Sequence, residues 1–147
     1  MKTKFLCLFF IAFSISAHCQ KKSLNIEGAW KMVQSQTIKG NESVIDFPGK
    51  VDNDITKIWS GNQCMAVGRT KQDKSVSDMY FLGTFTLIGN RYEENIKILS
   101  YTEWEGKTIK MLLEMKNDTL IQTYPVDDKG QIDINEAWSE KYVRIKK

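Results

Sequence analysis

The sequence predicts an all-β protein, an antiparallel up-and-down β-barrel of eight to ten strands. Turn residues recur at short intervals: Gly40-Asn41, Pro48-Gly49, Ser60-Gly61-Asn62, Gly89-Asn90, Glu105-Gly106, Asn117-Asp118 and Asp127-Asp128-Lys129-Gly130. Links this short join antiparallel neighbours, because a parallel crossover needs about a dozen residues or more. Between the turns, apolar residues alternate. Ile109, Met111, Leu113 and Met115 share one face of 108–115, and Met79, Phe81, Gly83, Phe85 and Leu87 share one face of 79–87. That is the period of a strand with one buried side. Residues 20–147 show no sustained helical period, and hairpin-linked strands in series favour an up-and-down barrel over a Greek-key sandwich.

Taken in chain order, residues 1–19 read as a secretory signal peptide rather than as part of the fold. Lys2 and Lys4 form a basic start, Phe5 to Ile15 is almost unbroken apolar sequence, and Ser16-Ala17-His18-Cys19 supplies small residues near a cut. The run is too short for an ordinary transmembrane helix and leads straight into polar Gln20-Lys21-Lys22. Cleavage after Cys19 starts the mature chain at Gln20 and sends it to the periplasm or the medium. The alternative is a lipoprotein signal with Cys19 lipidated. Against it, His18 and Ser16 stand where such signals place a small residue and a Leu-like one.

The remainder, 20–147, is expected to be one domain. Candidate strands are 29–39, 54–60, 63–70, 78–88, 91–101, 107–116, 119–126 and 136–146. A short helix or ordered loop is expected at 40–53 or 70–77. Gly68 and Gly83 fall inside strands, where they relieve the crowding of a tightly curved sheet. A domain of this size buries roughly two-thirds of its unfolded surface, enough for a core without cross-links.

Charge and composition exclude several function classes. The chain has 21 Lys+Arg against 18 Asp+Glu, and removing Lys2 and Lys4 leaves 19 against 18. A near-neutral, interspersed charge reads as a solvated surface and speaks against nucleic-acid binding, which rests on a concentrated positive face. Of three cysteines, Cys7 and Cys19 belong to the leader, so no disulfide is expected within the domain. Cys64, on a strand between Gln63 and Met65, reads as a small packing residue. His18 is the only histidine. The mature domain therefore lacks Ser-His and Cys-His nucleophiles and histidine metal ligands.

Carboxylates are the remaining catalytic option. Glu93 and Glu94 point to opposite faces of a strand, Glu103 and Glu105 flank Trp104 in a loop, and Glu136 and Glu140 lie four residues apart on one face. None makes a convincing glycosidase pair. The expectation is a noncatalytic protein without cofactor or metal.

Gly28-Ala29-Trp30 opens the first strand and Arg144 stands late in the last. A Gly-x-Trp followed far downstream by an arginine resembles the closure signature of lipocalin-like barrels, in which a guanidinium covers the indole. Further matching pieces are Lys57-Ile58-Trp59-Ser60, Phe81-Leu82-Gly83-Thr84-Phe85-Thr86-Leu87, Gly89-Asn90-Arg91-Tyr92-Glu93-Glu94, and Glu136-Ala137-Trp138 with Tyr142-Val143-Arg144. Together they span nearly all of 28–146. The chain resembles the lipocalin-like (calycin) domain families of unknown function found among secreted proteins of Bacteroidetes-type bacteria. It lacks the disulfide and the middle motifs of classical lipocalins, so retinoid or receptor binding does not carry over.

The resemblance implies a monomeric binding protein for a small apolar or amphipathic molecule. If Arg144 turns inward, alternation places Tyr142, Glu140, Trp138 and Glu136 inward too. The expected cavity residues are Phe81, Phe85, Glu94, Met111, Leu113, Trp138, Glu140 and Tyr142, with Trp30 and Arg144 as the barrel closure. Two alternatives stay open. One is an envelope interaction module with a filled barrel, held by an internal Arg-Glu pair, whose loops 40–53 and 70–77 and Trp104 meet a protein or glycan. The weaker one is an acid-base enzyme using interior carboxylates.

Overall fold

Two-residue turns define most of the hairpins. Asp73 and Asn117 adopt φ of 53° and 54° at the first position of theirs, the backbone sense that lets a tight hairpin follow strand twist. The computed structural model describes residues 24–133 and 135–146. The expected signal peptide, its cleavage site and Cys19 lie outside the described residues. The strands are β1 (Gly28–Lys39), β2 (Glu42–Phe47), β3 (Asp52–Ser60), β4 (Gln63–Gln72), β5 (Ser75–Ile88), β6 (Arg91–Leu99), β7 (Thr108–Lys116), β8 (Thr119–Tyr124) and β9 (Ala137–Arg144). One 3-10 turn, Thr102–Trp104, links β6 to β7.

Strands β3 to β9 pair antiparallel in chain order, and β1 joins β9 from Trp30↔Arg144 to Ile38↔Ala137. Eight strands thus close on themselves into a lipocalin-like up-and-down barrel, with β2 as an extra strand. On its other side β1 is divided: its first half pairs with β3 and its second half with β2. Register shifts at Met32/Gln34 in β1 and Leu82/Gly83 in β5 add the local twist that closing a sheet requires. At Gly68 and Gly83 an added Cβ would lie 2.5 Å from the carbonyl oxygens of Asp54 and Asn95, so neighbouring backbones can approach only past glycine.

Three local expectations are corrected. Segment 40–53 contains strand β2, whose residues are largely exposed and so show no clean alternation. The 70–77 segment is neither helix nor long loop: β4 and β5 run through it to the Asp73-Lys74 turn. The sixth and last strands end earlier, at Leu99 and Arg144.

Inside the barrel, Trp59 meets three rings edge-on: Trp30 at 6.4 Å, Tyr142 at 6.2 Å and Tyr92 at 6.5 Å between centroids. Such pairs each contribute about 0.5–1.5 kcal/mol beyond the apolar area they bury. Met111, Leu113, Leu120, Ile96, Ile55 and Phe81 pack into the same cluster. Strand direction places the Gly61-Asn62, Gly89-Asn90 and Asn117-Asp118 turns at one end, with Trp30 and Arg144. The 100–107 and 125–136 connections lie at the other end, the mouth.

Candidate functional site

At the closed end, the first and last strands bring Trp30 and Arg144 directly opposite each other. The guanidinium carbon of Arg144 lies 4.3 Å from the Trp30 ring centroid. Arg144 donates from Nη2 to the Asn25 carbonyl at 2.9 Å and from Nη1 to that of Glu27. Trp30 Nε1 donates to the Ile26 carbonyl at 2.8 Å. The glycine of the Gly-x-Trp also has a cause: Gly28 has φ of 112°, and a Cβ there would lie 3.0 Å from Arg144 Nη1. The arginine therefore folds the entering chain over the indole. It forms no internal ion pair with glutamate among the described residues.

The interior pair is instead Lys57 with Glu94, from the inward faces of β3 and β6, each side chain only 5% exposed. Lys57 Nζ also donates to Gln122 Oε1 at 3.1 Å and sits over the rings of Trp59, Phe81 and Tyr92 at 5.1, 5.6 and 5.8 Å. Trp59 Nε1 donates to Tyr92 Oη, and Tyr92 Oη to Glu94 Oε1, both at 2.7 Å. A second carboxylate, Glu140, accepts from Gln122 Nε2 at 3.2 Å and from the hydroxyls of Tyr124 and Tyr142 at 2.7 Å. One hydrogen-bonded chain thus runs from Trp59 near the closed end to Tyr124 at the mouth.

This chain fills the middle of the barrel. Trp59, Cys64, Tyr92 and Leu120 are 0% exposed, so the middle of the barrel is packed with side chains rather than open to solvent. Burial, with the Glu94 carboxylate second, pushes the Cys64 thiol up to about 12 and raises the Tyr92 hydroxyl well above its usual range. Burial and then Glu140 do the same for Tyr124 and Tyr142. All four groups stay protonated near neutrality. Of the carboxylates expected as candidates, Glu136 pairs with Lys39 at 3.0 Å on the surface, and Glu105 accepts the Leu99 N–H at 3.2 Å. Among the described residues no cluster of His, Cys, Asp or Glu is gathered for a metal ion.

The structure places the expected cavity residues in two groups. Phe81, Glu94, Met111, Leu113 and Tyr142 are buried in the packed interior. Phe85 is half-buried, stacked on Tyr92 at 5.3 Å. Trp138 and Glu140 lie higher, toward the mouth, where Trp138 is 38% exposed and its ring is tilted 30° on Tyr124 at 6.0 Å.

At the mouth the two groups of connecting residues form a recess of about 380 Å³. Its walls are Leu99, Tyr101 and Trp104 on one side, Tyr124, Pro125 and Val126 on the other, with Ile109 and Trp138 between them. Trp104 is 43% exposed on its 3-10 turn and carries the Lys107 ammonium 4.9 Å from its centroid. The Pro125–Glu136 connection is pinned from below: Arg91 donates to the carbonyls of Asp128 and Lys129 at 3.2 and 2.7 Å, and Lys110 pairs with Asp128. Sequence reasoning singled out Trp104 and Trp138 but missed Tyr101, Tyr124 and Lys57. Alternation of Ile55, Lys57 and Trp59 was the available signal for Lys57.

No family model matches this chain, and no curated protein does either. Among the described residues no helix is long and apolar enough to cross a membrane.

Proposed function

We propose that this chain is an exported, noncatalytic member of the lipocalin-like families, binding a small apolar or amphipathic molecule at the mouth of the barrel rather than in its interior. The observation that carries this reading is the aromatic recess of about 380 Å³. Ligand sites are typically concave, mainly apolar and about 300–1,000 Å³ in volume, with a few polar groups for orientation. Export rests on the apolar run at 5–15 and the small residues before Gln20. The noncatalytic reading rests on the lack of histidine after residue 18 and on interior acids committed to hydrogen bonds. The domain acts alone in this reading, as a monomer without a cofactor.

Titration with Nile red, an uncharged dye that brightens in apolar surroundings, tests the site. The parent protein is expected to bind it. Trp104→Ala and Trp138→Ala should each weaken binding several-fold, since a stacked aromatic contributes about 0.5–1.5 kcal/mol. Both should leave the thermal midpoint nearly unchanged. A parent protein that leaves the dye dark would end the proposal.

The rival reading is an interaction module with a filled barrel. It draws on the packed interior and on the outer face of β4 to β6, where Met65, Val67, Tyr80 and Ile98 are exposed. Apolar patches of that kind mark contact surfaces. Dye binding lost on Met65→Glu with Tyr80→Glu, and kept on Trp104→Ala, would favour it.

A further inference from the structure

We propose that the molecule held at the mouth is cationic: an amine or quaternary ammonium carried on an apolar body. The inference rests on the mouth reading above and adds the chemical class of the headgroup. Three independent observations point to a positive charge.

The first is the carboxylate beneath the recess. Glu140 is held by three neutral donors, the Tyr124 and Tyr142 hydroxyls and the Gln122 amide. Among the described residues no lysine or arginine pairs with it, because Lys57 is committed to Glu94. Tyr124 is shared between the two layers: its ring lines the recess and its hydroxyl reaches Glu140. An ammonium resting on Tyr124 and Trp138 would face two π-systems backed by a carboxylate.

The second is a cation already resident on the wall. Lys107 places its ammonium over Trp104, and among the described residues no carboxylate pairs with it. The ring face therefore accepts a positive charge by quadrupole attraction. Lys110 also lines the recess, but its ammonium is engaged by Asp128.

The third is the charge on the Trp104 side of the rim. The two connections that frame the mouth carry Glu103, Glu105, Asp127, Asp128, Asp133 and Glu136 against Lys107 and Lys129. Lys110 pairs with Asp128 and Lys39 with Glu136, and Arg91 stands against the same connection. The acid excess that remains is small and is clearest beside Trp104, where Glu103 and Glu105 face Lys107 within one connection. A local excess of one sign favours the approach of the opposite sign.

Calorimetric titration with three ten-carbon probes below their micelle concentrations decides the matter: decyltrimethylammonium, decyl sulfate and decanol. The ammonium should bind about tenfold tighter than decanol, and the sulfate more weakly than either. Glu140→Gln should reduce the ammonium to about the decanol affinity while leaving decanol itself unchanged. If that variant melts early, the exposed pair Glu103→Lys and Lys107→Ala replaces it. The first should weaken ammonium binding several-fold. The second should strengthen it by removing the competing charge.

Decyl sulfate binding as tightly as the ammonium, with decanol binding still lost on Trp104→Ala, would overturn the cationic assignment and leave the mouth site standing. Ammonium binding that ignores both Glu140→Gln and Glu103→Lys would overturn it too. If none of the three probes binds, the mouth reading falls with it.

Discussion

Lys57 and Glu94 form an ion pair at the centre of a barrel whose remaining interior is largely aromatic and aliphatic. The pair survives there because both partners are fully engaged. Lys57 has Gln122 and three ring faces, and Glu94 has the Tyr92 hydroxyl. Desolvating two charges usually costs as much as their attraction returns, so the pair is better understood as fixing strand register than as a large net source of stability.

That view makes a double-mutant expectation. Lys57→Met alone or Glu94→Leu alone should each lose about 3–5 kcal/mol in urea unfolding, since each leaves a buried charge unpaired. Combined, they should recover most of the loss. Strictly additive losses would mean that the two groups are not coupled and would refute this view.

Arg144→Ala is expected to cost about 1–3 kcal/mol, combining the lost stack on Trp30 with the lost bonds to the Asn25 and Glu27 carbonyls. Arg144→Lys should recover only part, because an ammonium can reach one carbonyl but cannot lie flat on the ring. Equal stability of the alanine and lysine variants in chemical unfolding would contradict this.

Met111→Trp probes the interior separately from the mouth. Met111 is fully enclosed, so the larger ring should overpack the core and destabilise it by roughly 1–3 kcal/mol. Nile red binding at the mouth should persist in the folded fraction. A variant as stable as the parent would mean that the ring finds room beside Met111 and would contradict the packed interior.

Alkaline pH should unfold the protein. Cys64 titrates at about 12 in the fold against 9.0 when free, and the tyrosines at 92, 124 and 142 are also raised from 10.0. A raised pKa means that the folded state keeps a proton which the unfolded chain loses. Stability from these groups is therefore complete below pH 9 and declines as pH climbs through 10 to 12. Each group contributes about 1.4 kcal/mol per pH unit within its own window. A urea midpoint that stays constant from pH 8 to pH 11 would refute this.

The barrel was legible in the sequence because its two determinants are local: tight turns, and alternation along single strands such as Ile109 to Met115. The closing pair was legible through resemblance. Strand β2 was not, since an exposed strand leaves no alternating signature. Lys57 counted among interspersed surface charges because nothing near it in sequence reveals its partner, which arrives 37 positions later on another strand. The mouth was only partly visible. Trp104 drew notice as an aromatic between acids and Trp138 through alternation from Arg144, whereas Tyr101, Pro125 and Val126 sit in connections without periodicity and converge only once the barrel exists.

The β1–β9 seam bears on how the chain folds. Apart from β1–β3, which reaches past β2, every other strand pairing of the barrel joins sequence neighbours, which meet at little entropic cost. The seam joins Trp30 to Arg144, nearly the whole domain apart, so the ring cannot shut until the eight residues of β9 are present. High contact order of this kind slows folding and leaves two open sheet edges exposed in the meantime. A chain cut short before Ala137 would keep the pairings from β3 to β8 and still present the β1 and β8 edges to any neighbouring strand.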